Sequence, residues 1–439
     1  MCRRAVRLVM ELKRTAIVAL ATAAAVAVVM LLVFYRPAST PIQPQACPDQ
    51  AVVYVYATEE QKKFADTIVA DLKMMLQQRG VNIVNVPMCT LPAQSFPWKL
   101  QVYPAILIRG DVSVPPEYVS RTLDGYRELY PLVSLMLAHQ MGVALFSYAG
   151  EAVLVPSAAP FANISVSTLQ QAKEFLSWLF VVNVTQVSSS HDAELASRLS
   201  FLPGIVVKSS YNLTLGAPYI VEVAPGAYAL AERFQRAMLQ YLGVFAYEVK
   251  SNPLSGLEDG VPFGAGTVTL YLLEDYHCPF CAKFINSSGE LLSELAREGR
   301  LRVVFLDLVV HAEVAPVHAF ARCLFNLTGS ADLYFDLTRE LYRALLSGKQ
   351  VALEDAVSFA RIRVPQDVVN ASLACSRRLE SEVLARSRSL QGAGFTGTPT
   401  FIFWNDLAGR GLLLEGCIDV NACITREDFL RILEWLRGG

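Results

Sequence analysis

Two cysteines spaced by two residues, in Cys278-Pro279-Phe280-Cys281, lie between a run of strand-forming residues, Thr267 to Leu273, and a stretch with helical apolar spacing. Proline at the first helical position has a ring-fixed φ and no amide that needs a partner, so a helix is expected to start at Pro279. Cys278 then falls at the helix N-terminus, where unpaired N–H groups and the positive end of the dipole favour a thiolate. That placement lowers a thiol pKa from about 8.5 to roughly 3.5–7.5. The thiolate is the form that attacks a disulfide, so Cys278 is the expected nucleophile and Cys281 the resolving thiol.

More than a hundred residues on, Gly397-Thr398-Pro399-Thr400 leads into the apolar run Phe401 to Trp404. An interior ladder position excludes proline, so Pro399 is expected to sit at a strand entry with a cis bond. On these two motifs, residues from about 261 to 439 resemble the thioredoxin superfamily, and within it the DsbA-like branch. The segments between agree with that pattern. Leu301 to Leu306 reads as a second strand, and apolar periodicity over 314–327, 333–346 and 368–390 reads as an inserted set of helices. Thr425-Arg426-Glu427-Asp428 resembles a capping box opening a last helix.

The resemblance implies a thioredoxin-like α/β fold with a helical insertion, and a substrate surface formed by Pro279, Phe280, Thr398 and Pro399. Some thioredoxin-fold enzymes carry a buried acid six residues before the first cysteine, and here that position is Leu272. Glu274 and Asp275 at the strand end, and His277 beside the nucleophile, are the candidates for tuning. His311 and His318, seven apart, read as surface or packing residues. Pro279-Phe280 lacks the histidine of strongly oxidising relatives, which leaves the direction of electron flow open.

Zinc needs four ligands, and the other cysteines either lie alone or, at Cys417 and Cys423, are separated by five residues, so no metal site is expected. Gly392-Ala393-Gly394-Phe395-Thr396-Gly397 matches a dinucleotide-binding pattern, but a helix precedes it and a strand follows, the reverse of the required order. No cofactor is expected, because the dithiol itself carries two electrons.

A net charge of -2 gives no electrostatic case for nucleic acid. Residues 16–35 form an apolar run interrupted only by Thr22, and about 20 residues at 1.5 Å each cross a ~30 Å hydrocarbon layer. The basic tail of residues 1–15 predicts a cytoplasmic N-terminus and a single-pass anchor in the cell membrane, with the bulk of the chain extracytoplasmic. A cleaved signal peptide is the competing reading. Residues 36–50, with Pro37, Pro41, Pro44 and Pro48, read as a semi-rigid linker. Six of eleven asparagines head glycosylation sequons, Asn163, Asn183, Asn212, Asn286, Asn326 and Asn370, and all follow the anchor. Cysteine usage fits an oxidising compartment. Outside the catalytic pair, Cys323 with Cys375, Cys417 with Cys423, and Cys47 with Cys89 are the favoured bridges among the fifteen connectivities that six cysteines allow.

Residues 51–250 show no obvious chemistry. Ala51 to Tyr56, a helix over 60–78, a strand over 81–86 and the proline-led strand 103–108 resemble a thioredoxin module with Thr58-Glu59-Glu60-Gln61 in place of cysteines. A fainter repeat spans 181–223. The domain plan is therefore a degenerate thioredoxin-like region, 51–250, before a DsbA-like domain, 251–439. The expected function is a membrane-anchored thiol:disulfide oxidoreductase acting on exported proteins. Its resetting partner would be a quinone-linked oxidase or a thiol reductant relay. A binding or chaperone-like receptor with a structural C-x-x-C, or a dedicated electron carrier to one partner, are the alternatives.

Overall fold

The structure, a computed structural model, describes residues 47–96 and 98–438. The expected anchor, residues 16–35, lies outside the described residues, and among those described no helix is long and apolar enough to cross a membrane. One α/β plan occurs three times along the chain between Asp49 and Gly438.

The first module contains β1 (Ala51–Tyr56), α1 (Glu59–Lys63), α2 (Ala65–Gln78), β2 (Met88–Pro92), β3 (Val102–Tyr103), β4 (Ala105–Arg109), β5 (Val119–Leu123), β6 (Tyr126–Leu129) and α3 (Pro131–His139). Its sheet order is β2-β1-β4-β6-β5, with β1 parallel to β2 and antiparallel to β4. The strand expected over 81–86 is not one. Val81 and Ile83 are buried in a loop, Lys73 Nζ bonds the carbonyls of Val84 and Val86, and the parallel partner of β1 begins at Met88. Burial of two apolar side chains in a loop imitates strand alternation in sequence.

The second module follows with β7 (Leu145–Phe146), β8 (Ala149–Val155), α4 (Val166–Gln171), α5 (Lys173–Phe180), β9 (Asn183–Ser189), α6 (Ala193–Arg198), β10 (Phe201–Leu202), β11 (Gly204–Lys208), β12 (Ile220–Ala224), β13 (Ala227–Leu230) and α7 (Glu232–Tyr241). Its order, β12-β13-β11-β8-β9, again sets the first long strand parallel to one neighbour and antiparallel to the other.

After β14 (Ala246–Val249), the third module runs β15 (Val261–Phe263), β16 (Val268–Glu274), α8 (Pro279–Arg297), β17 (Arg302–Asp307), α9 (Ala315–Thr328), α10 (Ala331–Leu346), α11 (Leu353–Arg363), α12 (Gln366–Gly392), β18 (Thr400–Asn405), β19 (Arg410–Glu415) and α13 (Arg426–Arg437). Its strands form the sheet β10-β14-β19-β18-β16-β17-β15, so β14 and β10 extend it beyond β19. All seven residues of β16 are buried, as expected of a central strand paired on both edges and covered on both faces. Each fully buried leucine there contributes about 1.5–3 kcal/mol relative to exposure.

The four helices α9–α12 are the insertion between β17 and β18. They include α11, which the apolar spacing did not reveal. The Cys323–Cys375 disulfide staples α9 to α12, and Cys417–Cys423 closes the loop after β19. Cys47 and Cys89 are also disulfide-bonded. In α13 the Thr425 hydroxyl accepts from Asp428 N at 3.1 Å, one half of the expected capping box. In each module a cis X-Pro bond stands immediately before the strand antiparallel to the first: Tyr103–Pro104, Leu202–Pro203 and Thr398–Pro399.

Candidate functional site

β16 delivers the chain to a turn, Asp275-Tyr276-His277, that hands it to α8. Cys278 is the N-cap of α8, with Pro279 at its first position, and its Sγ accepts from Cys281 N at 3.3 Å. The cis-proline segment from the other end of the module meets it there, and the neutral thiol donates to the Thr398 carbonyl at 3.2 Å. Cys278 is 4% exposed and Cys281 fully buried. Around them Phe280 is 43% exposed, Thr398 half-buried and Pro399 buried.

The two thiols differ in acidity for physical reasons. A hydrogen bond from the Cys281 side chain, opposed by burial and helped by the Thr398 side chain and the Cys281 and Phe280 amides, lowers Cys278 from 9.0 to about 7. Burial, then the bond to Cys278 and its charge, pushes Cys281 well above the usual thiol range. At neutral pH one sulfur is therefore substantially anionic and its neighbour holds a proton. That is the asymmetry a nucleophile and a resolving thiol need.

Of the tuning candidates, Asp275 has a structural place. Its Oδ1 accepts from His277 N (2.7 Å) and meets His311 Nδ1 (3.1 Å), while its Oδ2 accepts from Val310 N (2.7 Å) and His311 N (2.9 Å). It fastens the loop after β17 to the active-site turn. The His277 ring is engaged by the Val351 carbonyl at 2.8 Å and by Glu313 at 3.4 Å. Glu274 is fully buried, and burial pushes its carboxyl well above the usual range. Tyr342 donates to its Oε2 at 3.0 Å, and Oε1 has no partner among the described residues. Strand alternation puts Glu274 on the same face of β16 as Leu272, so a buried acid stands two residues further along the strand than its expected place. Glu274 also acts electrostatically to raise Cys281.

His318 lies in the core, fully buried. Its Nε2 accepts from Tyr276 N at 3.3 Å, which leaves Nδ1–H to donate to Asp307 at 2.8 Å. Arg322 completes the pair at 2.6 Å from Asp307. Burial works against the Asp307 carboxylate, but the charge of Arg322 and the His318 bond outweigh it and hold its pKa well below the usual range. The network anchors the turn that presents Cys278. Sequence reading also missed the hydroxyl cluster of Tyr276, Tyr334, Thr338 and Tyr342. Its signal is the spacing of 334, 338 and 342 on one helical face. Arg236 of α7 was missed as well: it bonds the Gly394 carbonyl at 3.3 Å and Glu415 at 3.4 Å, bracing the cis-proline segment.

The six sequon asparagines are all exposed and scattered. Among the described residues no group of three or more His, Cys, Asp or Glu is arranged to hold a metal.

The thioredoxin family model matches residues 264–406. Among solved structures the chain is similar to DsbA2 of Pseudomonas aeruginosa, at 17% identity over 40% of this chain and 93% of that one, with TM-score 0.32. It is also similar to oxidised BdbD from Bacillus subtilis, at 15% identity over 42% and 95% with TM-score 0.34. Reduced DsbG from Mycobacterium tuberculosis follows at 16%, over 35% and 82%, with TM-score 0.28. No curated protein matches the chain.

Proposed function

We propose that this chain, which carries a DsbA-like thioredoxin-superfamily domain, is a thiol:disulfide oxidoreductase, anchored in the membrane and acting outside the cytoplasm on cysteines of exported proteins. The supporting observation is the acidity difference across Cys278 and Cys281, together with the cis-proline segment at the nucleophile.

In the reducing direction, the Cys278 thiolate attacks one sulfur of a client disulfide. A Cys278–client bond forms, and the client's other sulfur leaves as a thiolate and takes up a proton. Cys281 then loses its proton and attacks Cys278. The Cys278–Cys281 bond forms and the client sulfur departs reduced, two electrons having passed to the client. In the oxidising direction each step runs backwards from the Cys278–Cys281 disulfide, and the client leaves with a new disulfide. A membrane partner closes the cycle by removing electrons, as a quinone-linked oxidase would, or by supplying them through a thiol relay.

Cys281→Ser in the full chain tests the reading, because it removes the resolving sulfur. Several exported proteins should accumulate in mixed disulfides through Cys278. A single trapped protein would indicate a dedicated electron carrier, and none would indicate a receptor whose C-x-x-C is structural.

A further inference from the structure

A cavity of about 440 Å³ lies where the end of α3 meets α5 and β9, and its lining includes His139, Phe146, Lys173, Glu174, Trp178 and Asn183. Its size falls within the ~300–1,000 Å³ of pockets that bury small organic ligands. The half-buried Trp178 indole forms an aromatic wall, met edge-on by the His139 ring at 4.0 Å and by the Phe146 ring at 6.5 Å. Lys173 and Glu174 open α5, and neither forms an ion pair among the described residues. An ammonium donor and a carboxylate acceptor therefore stand beside the rings. That combination fits a pyranose, whose C–H faces pack on aromatic surface while its hydroxyls take donors and acceptors.

The chain carries an attachment point for a sugar at the same place. Asn183 lines the cavity, is exposed, and heads the sequon Asn183-Val184-Thr185. It opens β9, the edge strand of the second sheet. Asn183 N donates to the Tyr148 carbonyl at 3.0 Å, and the next amide, Val184 N, donates to Ser177 Oγ of α5 at 2.9 Å. These two bonds pin the start of β9 against α5. They hold the Asn183 backbone and leave its side-chain amide beside the aromatic wall.

We propose that Asn183 carries an N-linked glycan whose first sugar is seated in this cavity against Trp178 and Phe146, covering the rings and bridging α3 to α5. The transfer is a substitution at the anomeric carbon of a lipid-phosphate-linked oligosaccharide. The bond from Asn183 Nδ2 to that carbon forms, and the bond from the carbon to the phosphate oxygen breaks. The amide gives up one proton to a base of the transferase, the lipid phosphate departs, and nothing is oxidised or reduced. Donor and transferase act outside the cytoplasm, so the proposal rests on the extracytoplasmic part of the reading above and on none of its thiol chemistry.

The test has two arms on the full chain purified from the cell that makes it. In the first, glycopeptides are mapped by mass, and Asn183 should carry a glycan. A bare Asn183 with sugar at any other sequon overturns this proposal alone. Bare asparagines at all six sequons overturn it together with the extracytoplasmic placement. Neither result alters the mixed-disulfide trap with Cys281→Ser, which reports on the thiols. In the second arm, hydroxyl-radical oxidation of Trp178 is followed by mass in the glycosylated chain and in Thr185→Ala, which removes the sequon and leaves the aromatic lining in place. Trp178 should oxidise at least fivefold more slowly with the glycan, with the half-buried Trp435 unchanged as an internal reference. Asn183→Gln reaches the same sugar-free cavity by another substitution and should match Thr185→Ala. Equal oxidation of Trp178 with and without the glycan overturns the seating.

Discussion

Cys281→Ala removes the side chain that contributes most to the acidity of Cys278. The drop from 9.0 to about 7 corresponds to about 3 kcal/mol in favour of the anion, at 1.36 kcal/mol per pH unit. A hydrogen bond to a charged group contributes about 1.5–3 kcal/mol, so its loss raises the midpoint by about one to two pH units. The remaining donors, the Thr398 side chain and the helix N-terminal amides, keep part of the effect. At pH 7 the thiolate fraction of Cys278 falls from about half to about 1–10 per cent, and alkylation by iodoacetamide slows roughly 5- to 50-fold. At pH 10 the two proteins should react at similar rates. Cys281→Ser keeps an O–H donor and should retain a midpoint near the unaltered one. The assay is the pH profile of Cys278 alkylation in the reduced full chain, followed by mass. An alanine variant with the same midpoint as the unaltered protein refutes the assignment of the hydrogen bond as the main cause.

Other measurements probe the frame around the thiols. Because the folded pKa of Glu274 is raised above its unfolded value near 4.5, its contribution is fully present below that pH and is lost as pH rises through the folded pKa. Glu274→Gln should therefore gain stability over the unaltered chain as pH rises from 5 to 8, by up to about 1.4 kcal/mol per pH unit; thermal unfolding at several pH values checks this, and a flat difference contradicts it. Asp307→Ala takes from the buried Arg322 its close carboxylate partner, leaving only the exposed Asp259 carboxylate at 4.0 Å, and should cost about 3–5 kcal/mol in urea unfolding. In the unaltered chain the Asp307 contribution is present above pH 3.8 and is lost as pH falls through its depressed folded pKa. The disulfides close loops of unequal length, with separations of 52 and 6 residues. By loop-closure entropy, replacing Cys323 and Cys375 with alanine should cost about 4 kcal/mol, against about 2 for Cys417 and Cys423.

The catalytic module was legible because its chemistry is written locally. A proline-started helix after an apolar strand places Cys278, and a proline before Thr400 marks the strand entry. What escaped the sequence depends on contacts between distant elements. His318 read only as a surface or packing residue, with the choice between them open, because its partners, Asp307 and the Tyr276 amide, belong to two different strand ends. Glu274 was legible only as a tuning candidate at the strand end because the expected acid position holds Leu272, and only strand alternation and the α10 tyrosines place its carboxyl in the core. The segment 81–86 alternates like a strand, yet the parallel register with β1 falls to Met88–Pro92. The pairings of β3 with β7 and of β10 with β14 are two residues long on one side, too short to leave any periodic signal.

As proposed, Cys278 and Cys281 form a reversible two-electron couple. The full chain can be equilibrated in glutathione buffers of graded ratio, quenched in acid, and its thiols counted by alkylation and mass mapping. One transition is expected, in which a Cys278–Cys281 disulfide replaces both thiols and which reverses when the ratio is reversed, with Cys323–Cys375 and Cys417–Cys423 intact throughout. Two thiols that persist at every ratio, or a bond from either one to any other cysteine, would contradict it.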